Sequence, residues 1–350
     1  MKIRNKNIFA FILTIAAIIA VINKSEAVKI GIIKGIDVCG CVIIPSLFPF
    51  TVCILLLVNM NIKDYLKPFN KISYFFFGLN GYEMLIFIFS LVGGYPIGAK
   101  LINYSCKAGK ITSEKAKIML LFCVNAGPAF IISAIGSGML GNKQAGLILF
   151  ASQIISKIVL ALIFAPKLKK AESINNNELN TMRFWDNFTL SVTEASTSMV
   201  NICSYIILFS GITELIKIFK DNLFGYIMIN ALEVTNAVIY TKNIYKISFL
   251  LGFGGVCVWM QVFSVSNDLK VNKGCFAVIR AADGALSILI TKLLITVTKS
   301  DIQTVIKNSD LSLNFINNYS LFISMLIMLI IFFAAVYGKN KCGNFKEDLL

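Results

Sequence analysis

"SLVGGYPIGAK", Ser90–Lys100, decides how this chain is read. It closes an apolar run, Ile72–Gly93, that matches the ~20 residues needed to cross a bilayer. Yet Gly93, Gly94, Pro96 and Gly98 crowd its end, and Lys100 follows at once. A membrane helix interrupted in this way leaves backbone polar groups where there is no water. Such a break must be buried in protein or line a cavity. The glycines permit close backbone approach and unusual dihedrals. Pro96 presets the first turn of a new helix. The free amides of that helix start, with Lys100 nearby, make a partly positive pocket for a polar or anionic group. Close helix–helix contact through small residues is the other reading of the same stretch.

The rest of the chain supports a membrane setting. Apolar runs recur at Ile8–Ile22, Val42–Met60, Ala145–Ala165, Met199–Ile212, Leu223–Tyr240, Ile247–Val265, Cys275–Val297 and Leu321–Val336. With 57% hydrophobic and 15% charged residues and a mean hydropathy of +0.78, a soluble fold of 350 residues has too little polar surface to cover them. The runs are continuous rather than alternating, which excludes an outer-membrane barrel. The expectation is an all-α, polytopic helical protein of the cytoplasmic membrane, with the lipid bilayer as its first partner. The net charge of +15 comes from lysines in the short polar connections. Positive-inside bias and anionic headgroups account for it, so no nucleic-acid partner is expected. There is no His, so Ser-His and Cys-His catalysis and imidazole metal sites are absent. Nine Cys without a CxxC read as small buried residues, Cys39 and Cys41 forming the one CxC. No cofactor or metal is expected, and no motif points to an enzyme.

The polar stretch Lys167–Arg183 divides the chain. Residues 1–27 form a first span read as uncleaved, 28–166 a first membrane half, 167–183 the linker, 184–338 a second half and 339–350 a polar tail. Pro166 is expected to end the helix before the linker. Lysines and arginines place the N-terminus, linker and C-terminus in the cytoplasm. Each half then crosses an even number of times, so at least one apolar segment of the second half is expected to be re-entrant. The halves echo one another. Asn80–Glu83 matches Asn230–Glu233, Gly93-Gly94 matches Gly254-Gly255, and "VNAGPA" (Val124–Ala129) matches "AADGA" (Ala281–Ala285). This points to an internal duplication, parallel or inverted. Broken segments at matching places in two halves mark transport sites.

Polar residues inside the apolar runs are the candidate site. Asn125, in Asn125-Ala-Gly-Pro128, presents an amide where the helix capped by Thr112 or Ser113 is expected to break. The acids Glu83, Glu233 and Asp283 lie within or beside apolar runs, where a mid-bilayer charge costs at least ~3 kcal/mol and so faces a polar cavity. Glu233 has Thr235 and Asn236 beside it, and Gln261 is a further intramembrane amide. "PSLFPF", Pro45–Phe50, reads either as a turn before a span or as a hairpin tip.

"PSLFPF", "GGYPIGAK" (Gly93–Lys100), "CVNAGPAFIISAIGSGML" (Cys123–Leu140), "LEVTNA" (Leu232–Ala237) and "GFGGVCVWMQVFSV" (Gly252–Val265) together resemble the sporulation integral membrane proteins of the YlbJ type. The resemblance covers about Val28 to Arg280. It implies a Gate (nucleoside recognition) domain, shared with concentrative nucleoside transporters, and a role in a spore-forming cell. The expected site joins Gly94, Tyr95, Pro96, Gly98, Lys100, Asn125, Glu233, Thr235, Asn236 and Gln261. They would act on a small polar solute such as a nucleoside. A scaffold of spore formation without transport is the rival expectation.

Overall fold

The computed structural model describes residues 2–59, 63–172, 183–217, 223–232, 234, 241 and 243–298. The run Leu321–Val336, the tail 339–350 and most of the linker lie outside them. Among the described residues there is no strand. Three helices are long and apolar enough to cross a membrane, or up to four if one bent pair is a single span. The chain is an all-α polytopic membrane protein.

The elements are α1 (Lys2–Asn23), α2 (Ser25–Val38), a π-helical turn (Cys39–Ile43), α3 (Ile44–Asn59), α4 (Lys63–Phe77), α5 (Gly81–Gly93), α6 (Tyr95–Lys107), α7 (Ser113–Phe122), a π-helix (Ala129–Met139) and α8 (Lys143–Lys170). The second half has α9 (Phe184–Ile216), α10 (Leu223–Leu232), α11 (Ile244–Phe253), α12 (Val256–Val265), a 3-10 turn (Asn267–Leu269) and α13 (Lys273–Thr298).

Two proline expectations change. Pro45–Phe50 is neither a turn nor a hairpin tip, because α2, the π-turn and α3 run on without interruption. Pro45 lacks an amide and crowds the carbonyl four residues back. The wider π-turn just before it accommodates that ring, as π-bulges do. Pro166 likewise does not end its helix, since α8 continues to Lys170. Its ring is exposed, fully buried Leu168 anchors the last turn, and Lys167, Lys169 and Lys170 suit the negative end of the helix dipole.

Hydrogen bonds fix which ends lie together. Near the linker, Lys110 Nζ donates to Val58 O (3.0 Å), Thr112 Oγ1 to Glu172 O (3.1 Å) and Asn187 Nδ2 to Leu56 O (3.3 Å). The ends of α3, α6 and α8 and the starts of α7 and α9 therefore share one end of the bundle. α4 stays at that end, with Lys169 Nζ on Phe75 O (2.7 Å), and meets α5 at 70°. Its mixture of lysines and aromatics suits a helix lying at the interface. At the opposite end Lys34 pairs with Glu214 (3.4 Å), so α9 runs antiparallel to α2–α3.

Within this frame α5 and α6 are a re-entrant hairpin. Tyr82 at the start of α5 and Ser105 near the end of α6 share a hydrogen bond of 3.0 Å, so the chain turns back at Gly94 (φ +89°). α7, the unwound residues 123–127 and the π-helix together form a broken span leaving the linker end. In the second half α11 and α12 are the broken span, interrupted at Gly254 (φ +70°). Ser248 meets Thr291 (2.7 Å) and Arg280 Nε meets Phe253 O (3.3 Å), so α11 runs antiparallel to α13 from the opposite end. α10 follows α9 from that same opposite end, and Val234 just after it lines the central cavity.

The first half thus reads: through-helix toward the linker end, hairpin from the linker end, broken span away, through-helix back. Among the described residues the second half repeats the through-helix, the broken span and the closing through-helix in the reverse direction. The duplication is inverted, and its pairing differs from the sequence matches. "VNAGPA" corresponds to "GFGGV", and any counterpart of "GGYPIG" lies outside the described residues. Asn230 lies inside α10, and the Asn that caps the helix before the second glycine break is Asn243. "AADGA" lies in the continuous helix α13 and is not a break.

Topology reporters at Lys110, Glu172 and Lys270 are expected on one side of the membrane and one at Lys24 on the other. A Cβ at Gly98 would lie 2.0 Å from Cys123 O, whereas one at Gly40 meets nothing within 4 Å. Gly98→Ala is therefore expected to cost about 3 kcal/mol or more and Gly40→Ala less than about 0.5 kcal/mol, read as thermal unfolding in detergent.

Candidate functional site

Breaking a helix strands the carbonyls of its last turn. Side chains from neighbouring elements satisfy them here. The end of α5 is held by Asn125 Nδ2 on Leu91 O (3.0 Å). The end of α11 is held three times: Tyr95 Oη on Leu251 O (2.8 Å), Trp259 Nε1 on Phe253 O (2.9 Å) and Arg280 Nε on Phe253 O. Arg280 Nη1 also donates to Val124 O (2.8 Å), in the unwound stretch after α7. One guanidinium on α13 therefore ties both broken spans together.

Beside this junction lies a cavity of about 670 Å³, counting the space at its open side. Gly94, Tyr95 and Pro96 of the hairpin tip form one wall, with Gly127 and Phe130 next to them. Cys257, Val258 and Gln261 of α12 form another, and Val234, Leu47, Ile202 and Ile206 complete much of the rest. The first turns of α6 and α12 both face it, so two helix N-termini with their partial positive charge converge there. Gln261 is the polar side chain in the wall, its Nε2 3.3 Å from Cys257 Sγ. Apart from the Tyr95 hydroxyl, the walls formed by described residues are otherwise apolar or backbone.

Four expected site residues line this cavity: Gly94, Tyr95, Pro96 and Gln261. Gly98 packs on the Cys123 carbonyl instead. Lys100 turns to α9, pairing with Glu194 (2.9 Å) and bonding Ser198. Asn125 is fully buried as a cap, with Oδ1 lacking a partner among the described residues. Glu233, Thr235 and Asn236 lie outside the described residues, although Leu232 and Val234 flank the first of them.

Among the described residues, five of the buried charged side chains form two clusters, with Lys246 apart from both. Glu83 accepts Lys115 Nζ at 3.0 and 3.1 Å, both side chains buried, and closes a capping box with Asn80 at the start of α5. Asp283 is surrounded by Lys157, Arg280 (2.9 Å) and Ser156 (2.5 Å). The acids were visible as lone carboxylates in apolar runs. Their cations Lys115, Lys157 and Arg280 were missed, although Lys157 and Arg280 interrupt apolar runs in the same way.

Removing one member of a buried pair leaves an uncompensated charge. Glu83→Gln or Lys115→Met alone is expected to cost about 3–5 kcal/mol, and Glu83→Leu with Lys115→Met to restore most of it. Thermal unfolding of the three variants checks this.

The chain is 23% identical over 382 aligned positions to the sporulation integral membrane protein YlbJ of Bacillus subtilis (strain 168), covering 93% of this chain and 92% of that protein. No family model matches the chain, and no solved structure matches it. The chain is thus similar, distantly but over almost its whole length, to a YlbJ-type sporulation integral membrane protein.

Proposed function

We propose that this chain is a non-enzymatic protein of the cytoplasmic membrane that acts in spore formation and moves a small polar, nucleoside-like solute. The observation that carries the proposal is the inverted repeat whose hairpin tip and second broken span meet at one cavity. Inverted repeats with discontinuous helices place substrate sites at the repeat interface, and rocking of one repeat against the other gives alternating access. A nucleoside offers flat apolar faces to walls such as Phe130 and polar edges to Gln261 and the two helix starts. The sporulation role rests on the likeness to the Bacillus protein, and the solute class on the cavity's chemistry and the motif resemblance.

A scaffold reading is favoured by a different observation. Tyr95, Asn125, Trp259 and Arg280, which cluster at the breaks, spend hydrogen bonds on the protein's own carbonyls. In that reading the breaks serve packing alone, and the partners are other membrane proteins of the forming spore.

Nucleoside binding to the purified protein, read by calorimetry, separates the two. Gln261→Leu removes a buried hydrogen-bonding group and is expected to weaken binding about tenfold, with the melting temperature kept. No heat from millimolar nucleosides, with no uptake into reconstituted vesicles, would leave only the scaffold.

A further inference from the structure

The cluster around Asp283 takes no part in the cavity. Lys157 on α8 and Arg280 and Asp283 on α13 are each 0% exposed. Lys157 Nζ and Arg280 Nη1 both address the same oxygen, Asp283 Oδ2, while Oδ1 accepts from Ser156. Arg280 Nη2 is buried without a partner among the described residues. Among the described residues two positive charges therefore face one negative charge at a place closed to bulk solvent, and a buried charge without compensation is costly. The guanidinium does not release its proton in proteins, whereas an ammonium can. Loss of one proton from Lys157 leaves a neutral group of three.

Among the described residues the other elements packed here supply no second carboxylate. The stretch after α7 brings the Cys123 thiol toward Lys157, and the buried cation of α7, Lys115, is held by Glu83. The π-helix Ala129–Met139 has no titratable residue; α11 contributes the Phe253 carbonyl on Arg280 and the Ser248 carbonyl on Gln153, and its charged side chain is the buried Lys246 near its start. The Tyr95 hydroxyl, bonded to Leu251 O, is within electrostatic range of Arg280 and Asp283. A line of buried hydroxyls continues along α13, with Ser287 Oγ lacking a partner among the described residues. Ser287 and Thr291 follow Asp283 at one-turn intervals on α13, Thr291 bonds Ser248, and all three are 0% exposed.

We propose that Lys157 and Asp283 form a proton-binding site at the junction of the two repeats, and that its occupancy sets the grip of Arg280 on both helix breaks. With Lys157 charged, Asp283 Oδ2 is shared between two cations and Arg280 stays on the Val124 and Phe253 carbonyls. With Lys157 neutral, that oxygen belongs to Arg280 alone and draws the guanidinium away from them. The proton released by Lys157 goes to solvent.

Trp259 reports this grip, because its indole N–H donates to the same Phe253 carbonyl as Arg280. The chain has two tryptophans, and the other, Trp185, is 73% exposed. Trp185→Phe protein in detergent, with no solute added, is titrated by fluorescence from about pH 5 to about pH 10. One sigmoidal transition in Trp259 emission is expected. It is kept in Cys123→Ser and Tyr95→Phe backgrounds and lost with Lys157→Met and with Lys157→Gln. Both Lys157 variants leave a neutral Asp283–Arg280 pair and should unfold cooperatively, whereas Asp283→Asn leaves two bare cations and should accumulate poorly. Absence of the transition, its persistence without Lys157, or failure of both Lys157 variants to fold overturns the proposal. Nucleoside binding is measured separately, so the solute reading can fail while this one stands, and the reverse.

Discussion

A peptide group that leaves its helix inside a bilayer has no water to turn to, and this constraint shapes the rest of the molecule. Each break at Gly94, at residues 123–127 and at Gly254 sheds carbonyls that other parts of the protein must meet. The groups that meet them come from other elements: Asn125 for the end of α5, and Tyr95 and Arg280 for the end of α11. The breaks and their caps therefore specify the packing of the two halves. The cavity is a by-product of that arrangement, since the space between unwound tips and long neighbouring helices is hard to fill.

Arg280 is the clearest case of a charge serving as a structural ligand. In discontinuous membrane helices, unwound carbonyls and helix C-terminal ends attract cations. Here the cation is tethered to the chain. Its own burial is made tolerable by Asp283, and Asp283 brings Lys157 and Ser156 with it. The demand for backbone partners at two glycine-containing breaks thus draws a charged network into the middle of an otherwise apolar bundle.

Much of this was legible in the residues. Apolar run length exposed the membrane class, and Gly93-Gly94 with Pro96 exposed the hairpin turn. Thr112 and Asn125-Ala-Gly-Pro128 marked the start and break of α7, as found. The prolines misled, because a π-turn absorbs Pro45 and the exposed ring of Pro166 is tolerated in a last turn. The repeat was recognised but paired wrongly, since glycine pairs look alike in sequence whether they turn a hairpin or interrupt a span. Only the hydrogen bonds between ends, such as Tyr82 with Ser105, separate the two. The placement of Gly98, Lys100 and Asn125 away from the cavity was illegible for a similar reason: which neighbour a polar side chain satisfies depends on contacts far apart in the chain.

The cross-half caps also bear on how the protein is made. Tyr95 in the first half finds its carbonyl at Leu251, and the Val124 carbonyl waits for Arg280, both 156 residues later in synthesis. The first half leaves the ribosome with an exposed carbonyl in its broken span and a hairpin tip without its partner. It must be held by the insertion machinery, or by water at the translocon, until α13 arrives. Assembly is therefore completed from the C-terminal side, and one arginine near the end of the described chain closes a backbone gap made some 150 residues earlier.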